Sequence, residues 1–215
     1  MKNLLRRQVS LALKAWNDPK TAVRVGKALL RGTWYIARYS LFSKRIKISF
    51  PFKAYAPVTL KGPGTISIGK GCSVYWNVFD GLTVVTLAKE ARVSIGERCG
   101  LGGLTIRCST SVTLGNNCLA ANSLIQDGFM VNQGQEGYEA IGNKIPVPQP
   151  IALGNNVWLC GQSGVVRGSR IGDDCVLSRG SMTFGSEIGK FQLAMGSPSG
   201  ATMPIERLLA LKGIL

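Results

Sequence analysis

The 215-residue chain contains no histidine. That absence removes Ser-His-Asp and Cys-His nucleophile chemistry, histidine-ligated zinc and the commonest general base, so any proton transfer here rests on other side chains. No Cys-x-x-Cys spacing occurs among the six cysteines, and without histidine no metal site is expected. Long apolar runs are missing too. Charges interrupt every stretch near the roughly 20 residues a membrane-spanning helix needs. Lys14 follows Leu11 and Leu13 too closely for a secretory apolar core. The chain is therefore expected to be cytoplasmic. Glycine is abundant at 27 residues but shows no three-residue period, which excludes a collagen. Hydrophobic residues at 45% against 17% charged exclude an intrinsically disordered chain.

Acidic residues are the other scarcity, 11 against 26 Lys and Arg, for a formal net charge of +15. The imbalance is local. Residues 1–53 hold 13 basic side chains and a single acid, Asp18, whereas the rest of the chain is nearly neutral. A basic arm on a neutral body predicts an anionic partner. Within the arm, 3–16 and 20–42 read as helices separated by Asn17-Asp18-Pro19, with Asp18 as the cap and Pro19 at the first helical position. Lys20, Arg24, Lys27, Arg31 and Arg38 recur at helical spacing among Val25, Ala28, Leu29, Tyr35, Ile36 and Leu41. This basic amphipathic pattern suits packing on the protein's own body or a sister subunit, and it equally suits an anionic membrane surface met through residues 1–53 on the inner face. Zinc-finger spacing, an RRM-like aromatic motif, a KH loop and a helix-turn-helix signal are all lacking, so nucleic acid is not the expected partner.

From about Ile66 the sequence repeats with a period of six: an aliphatic residue, often Gly, two variable positions, a small residue and one more. Leu153-Gly-Asn-Asn-Val157-Trp, Leu159-Cys-Gly-Gln-Ser163-Gly, Val165-Val-Arg-Gly-Ser169-Arg, Ile171-Gly-Asp-Asp-Cys175-Val and Leu177-Ser-Arg-Gly-Ser181-Met run without a break. Earlier copies begin at Ile68, Ile95 and Leu114. Strand alternation places the aliphatic residue and the small residue four later on one inward face, and Gly and Asn supply the tight corners. Three units make one triangular coil, each coil is covered only by its neighbours, and the end coils need caps. The expected organisation is an all-β solenoid over 54–200, the arm over 1–53 at one end and a short C-terminal helix over 201–215 at the other. Cys72, Cys99, Cys118 and Cys175 fall on the small inward position and read as core filler in a reducing compartment. Cys108 fits no position of the repeat.

The hexapeptides resemble those of the left-handed parallel β-helix acyltransferases, in particular the WbbJ-like and colanic-acid-type O-acetyltransferases of polysaccharide synthesis, over about residues 45–200. Pro150-Ile-Ala-Leu-Gly-Asn-Asn-Val-Trp-Leu159 resembles the family's return from its active-site loop, and Ile171-Gly-Asp-Asp-Cys-Val176 the coil that follows. Met195-Gly-Ser-Pro-Ser199 resembles the family's terminal Gly-Asn-Pro-Ala. The resemblance implies left-handed coiling, a homotrimer, acetyl-CoA as acyl donor and a glycan or lipid-linked sugar as acceptor. It also exposes a departure. At Leu124-Ile-Gln-Asp-Gly-Phe-Met130 relatives carry Asp-Gly-His, and the position of their catalytic histidine is Phe129 here.

The implied general base is then Asp127, or Glu136 or Glu139 on the loop 129–150. Asp127 also suits a plain turn with Gly128. The implied acyl-CoA residues are Trp158, Gly161, Ser163, Arg179 and Ser197, with Arg167, Arg170 and Lys190 as further cations; Trp158, outward on its strand, suits a subunit contact better than a ligand platform. Backbone amides of the coil turns are expected to hold the thioester oxygen. The loop's Asn132, Gln133, Gln135, Tyr138 and Asn143 suit a carbohydrate, and equally a packing arm. Two functional expectations follow. One is acetyl transfer to a sugar hydroxyl in polysaccharide or lipopolysaccharide synthesis; the other is an inactive homologue acting as a trimeric binding or scaffold protein.

Overall fold

The computed structural model describes residues 18–41, 43–76, 81–128 and 147–206. The helix expected over 3–16, the residues Phe129, Glu136 and Glu139, and the segment 207–215 lie outside them. The remainder is a parallel β-solenoid of about six coils with a helix across one end.

Three ribbons of strands run the length of the solenoid. Face one stacks β1 (Ile46–Ile48), β4 (Thr65–Ile68), β7 (Arg92–Ile95), β9 (Ser111–Leu114), β11 (Ile151–Leu153), β14 (Arg170–Ile171) and β17 (Glu187–Ile188). Faces two and three form one continuous sheet, because β8 (Gly100–Cys108) and β10 (Leu119–Gln126) turn the corner between them without breaking. Face two is continued by β2 (Lys53–Ala54), β5 (Ser73–Tyr75), β12 (Trp158–Leu159), β15 (Val176–Leu177) and β18 (Gln192–Gly196). Face three is continued by β3 (Val58–Lys61), β6 (Leu82–Thr86), β13 (Gly164–Val166) and β16 (Met182–Phe184).

The register follows the repeat. Ile68, Ile95, Leu114, Leu153, Ile171 and Ile188 stack as successive partners on face one, and all are buried. The small residues four positions later (Cys72, Cys99, Cys118, Val157 and Cys175) are buried as well, as the alternation requires. A large aliphatic side chain fully buried in such a stack stabilises the fold by about 1.5–3 kcal/mol, and like residues above and below exclude water without a second layer.

Two ladders tie the corner between faces one and two from coil to coil. The thiols of Cys72, Cys99, Cys118 and Cys175 donate to the carbonyls of Gly96, Gly115, Gly154 and Gly189 in the next coil, at 3.2, 3.3, 3.2 and 2.8 Å. The side-chain oxygens of Asn116, Asn155 and Asp173 accept from the N–H groups of Glu97, Asn116 and Asn155, at 2.8, 2.9 and 2.8 Å. Arg98, Asn117, Asn156, Asp174 and Phe191 occupy the left-handed turn position here, with φ between 56° and 59°. The glycine of the repeat has a steric cause: a Cβ on Gly115 would lie 2.4 Å from the Gly154 carbonyl oxygen.

The amino-terminal cap begins at Asp18, whose carboxylate accepts the Lys20 N–H at 3.0 Å, with Pro19 first in the helix as expected. Helix α1 (Pro19–Ile36) continues into a π-turn, Ala37–Leu41. Its inner face buries Ala28 and Gly32. Gly32 allows the approach to Phe52, since a Cβ there would overlap the Phe52 carbonyl oxygen. The free edge of the first coil is then satisfied by side chains. Tyr35 Oη accepts the Val58 N–H at 3.1 Å, Tyr39 Oη accepts the Leu60 N–H at 3.4 Å, and Arg31 donates to the Tyr55 carbonyl at 3.1 Å.

Two boundaries differ from expectation. The solenoid opens at Ile46 rather than 54, because Ile46–Ile48 and Lys53–Ala54 already pair in parallel with the second coil. At the other end Ser199–Pro204 is a strand, antiparallel to Gln192–Gly196, and helical residues begin only at Ile205. An edge carrying free backbone groups recruits a strand there ahead of any helix.

Candidate functional site

The corner between faces two and three is built differently from the laddered one. Gly103, Asn122, Gln162 and Gly180 occupy it in successive coils, with φ of 68°, 47°, 62° and 70°. The first outward positions after it are Thr105, Leu124, Gly164 and Met182, in register across face three. Gly164 therefore leaves a gap in a row where its neighbours carry Leu124 and Met182. The gap is the floor of a groove of about 390 Å³, with Asn122 and Gln162 at its corner edge. A Cβ at Gly164 would already stand 3.0 Å from Met182 Cε, so any larger side chain would fill the space.

Leu124, Met182 and the bare Gly164 give the groove an apolar side, and Asn122 and Gln162 give it a polar corner edge. Arg179, in the next coil, places Nε and Nη2 each 3.4 Å from Gln162 Oε1, so a guanidinium stands beside the mouth. Ser163 is buried, and its hydroxyl meets that of Ser123 at 3.2 Å. It fixes the shape of the corner. Among the described residues lining the groove there is no carboxylate or other basic side chain. A ligand with an anionic end suits the guanidinium beside this groove.

Of the residues expected to bind a cofactor, Gly161, Ser163 and Arg179 converge on this corner. Trp158 does not. It lies outward on face two, half exposed, in register with Leu119 and Val176. Ser197 is exposed in the turn between β18 and the terminal strand Ser199–Pro204, at the far end of the solenoid. Arg167 donates to the Val147 carbonyl at 3.0 Å and so supports the returning loop. Lys190 pairs with Asp173 at 2.9 Å on the laddered corner, and the Asn155 amide together with Lys190 holds the Asp173 carboxyl below its usual range. Gly164 is not apparent as a site residue from the sequence, where its only signal is a glycine at the outward sixth position of its hexapeptide.

Asp127 is fully buried. Its Oδ1 accepts the Ser109 N–H at 2.7 Å, and its Oδ2 accepts the Thr110 N–H at 2.6 Å and the Thr110 hydroxyl at 2.8 Å, with the Cys108 thiol 3.5 Å away. This is the arrangement of a corner cap, reaching back to the preceding coil rather than turning with Gly128. Proton transfer from a substrate to this carboxylate would require those donors to be released. It also accounts for Cys108. Burial, and then the neighbouring carboxylate, pushes that thiol up to about 12. The two ends of the loop close together beside it. Gln149 N–H donates to the Asp127 carbonyl at 2.9 Å, and a Cβ on Gly128 would touch Pro148 at 2.9 Å.

A scan against known protein families finds no match, and a search of curated proteins finds none either. Solved structures do match. The polySia-specific acetyltransferase NeuO superposes with a TM-score of 0.58 at 17% identity, over 74% of this chain and 70% of that one. A variant of AntD, an N-acyltransferase from Bacillus cereus in complex with dTDP and coenzyme A, superposes with a TM-score of 0.51 at 10% identity, over 81% and 92%. At these identities the likeness speaks to architecture, and the architecture is that of a left-handed parallel β-helix built from hexapeptide repeats.

Proposed function

We propose that this protein transfers an acyl group, acetyl from acetyl-CoA, to a sugar hydroxyl of a polysaccharide or lipopolysaccharide precursor. The observation that carries the reading is the groove floored by Gly164, with Arg179 at its mouth, on a fold shared with a polySia-specific acetyltransferase and an N-acyltransferase in complex with dTDP and coenzyme A. When bound, acetyl-CoA supplies the acetyl group as an activated thioester. The slot over Gly164 holds the slender pantetheine arm, and Arg179, released from Gln162, meets phosphate. The base belongs to Glu136 or Glu139 on the loop 129–150, because Asp127 is committed to the corner that roots this loop. Asp127 acts as a positioning residue. The apolar side chains of Tyr75, Leu119 and Trp158 on face two, each 40–48% exposed, support a homotrimer in which this face is covered.

A second reading is favoured by one observation: no side chain able to take a proton lines the groove among the described residues. On that reading the chain is a trimeric binding or scaffold protein that retains the slot without catalysis. Thiol release from acetyl-CoA in the presence of a panel of sugar and glycan acceptors separates the two. Transfer requires acceptor-dependent release that falls about 10²–10⁴-fold in Glu136→Gln or Glu139→Gln. Release unaffected by both variants removes the loop carboxylates from the mechanism. No release with any acceptor, alongside intact acetyl-CoA binding, selects the scaffold.

A further inference from the structure

Helix α1 carries two apolar stripes, and the solenoid uses only one. Ala28 and Gly32 face the first coil, whereas Val23, Leu30 and Trp34 lie along the opposite side, 54%, 75% and 52% exposed; Leu41, at the end of the π-turn, is 77% exposed. Positions 23, 30 and 34 fall on one line of an α-helix. Beside that line stand Lys20, Arg24, Lys27, Arg31 and Arg38. Arg24, Lys27 and Arg31 overhang a cleft of about 280 Å³ whose other wall is Tyr55 and the exposed Trp76. Among the described residues none of these cations has a carboxylate within ion-pair distance. Arg38 lies over the Trp34 ring at 5.1 Å, which holds the indole against the cationic flank.

An apolar line flanked by cations, in a segment with 13 basic residues and one acid, is complementary to a surface with anionic headgroups over hydrocarbon. A nucleic acid would satisfy the cations and leave Val23, Leu30 and Trp34 in water. We infer that α1 is an interfacial helix that docks this end of the solenoid on an anionic phospholipid bilayer. Val23, Leu30 and Trp34 enter the boundary between headgroups and acyl chains, and the cleft of Arg24, Lys27 and Arg31 receives lipid phosphates. The inference is independent of the acyl-transfer reading, since vesicle binding is measured without donor or acceptor.

The test is co-sedimentation of the full chain with vesicles of phosphatidylglycerol and phosphatidylcholine in equal parts, and with phosphatidylcholine alone. Binding is expected on the first and weak on the second. Arg24→Gln with Lys27→Gln should lower partitioning about 25-fold, at about fivefold for each cation removed. Leu30→Ser with Trp34→Ser should lower it about tenfold or more, with an unchanged unfolding midpoint because both side chains are exposed. Brominated phosphatidylglycerol should quench tryptophan fluorescence less in Trp34→Leu than in the parent chain. Equal sedimentation of the parent and the Leu30/Trp34 variant would overturn the proposal, as would identical quenching in the parent and Trp34→Leu. So would tight binding of double-stranded DNA or inorganic pyrophosphate without binding to the vesicles.

Discussion

The corner between faces one and two and the corner between faces two and three are made from the same repeat, yet they do different things. At the first, the Asn and Asp oxygens and the Cys thiols bond to the backbone of an adjoining coil, and a glycine lets successive coils touch. At the second, the glycine at position 164 faces outward, so the missing side chain leaves room for something else. One glycine is required by packing; the other makes a space. The third corner, where the loop 129–150 departs, takes its shape from a single buried carboxylate, Asp127.

The largest expected effect follows from that carboxylate. Asp127→Ala should destabilise the protein by about 3 kcal/mol, because the Ser109 and Thr110 donors lose a charged acceptor inside the fold. Denaturant unfolding at fixed protein concentration measures it. A loss below about 1 kcal/mol would return Asp127 to the list of candidate bases.

Substitution of the two glycines separates the two corners. Gly115→Ala forces a Cβ against the Gly154 carbonyl and should cost about 1–3 kcal/mol. Gly164→Ala meets no backbone, only the Met182 side chain at Cε and Cγ, and should cost less than Gly115→Ala, about 1 kcal/mol or below. Equal costs at the two sites would mean that the groove is a packing feature.

The smallest effect is on pH dependence. The Cys108 thiol lies above its usual value of 9.0, at about 12, through burial first and the Asp127 carboxylate second. The folded state thus holds this proton more tightly than the unfolded chain does. The stabilising contribution is complete below pH 9 and is lost as pH rises from about 9 to 12. Unfolding midpoints measured across that range should fall less steeply in Cys108→Val than in the parent.

Much of the fold was legible because the repeat reports directly on what must be inside. The aliphatic and small positions of the hexapeptides are buried where the alternation placed them, and Asp18 caps α1 next to Pro19. The repeat itself does not mark the first coil, because Ile46–Ile48 and Lys53–Ala54 lack the aliphatic-Gly signature of later coils. The terminal strand was hidden because its pairing depends on an exposed edge, which local sequence does not encode. The site was less legible than the fold. Gly161, Ser163 and Arg179 meet at one corner, but Trp158 and Ser197 lie elsewhere, and Asp127 points back at Ser109 and Thr110 in the preceding coil. Gly164 carries no side chain whose chemistry could draw attention in a sequence. It matters only because Leu124 and Met182 stand beside it.

The most direct test is calorimetric titration of the purified protein with acetyl-CoA, with CoA as control, in the parent chain and in Gly164→Leu. Saturable binding at micromolar to low-millimolar donor concentration by the parent, abolished in Gly164→Leu without a change in unfolding midpoint, is the predicted result. Binding that survives in Gly164→Leu, or no binding by the parent at several millimolar, would contradict the assignment of this groove to an acyl-CoA.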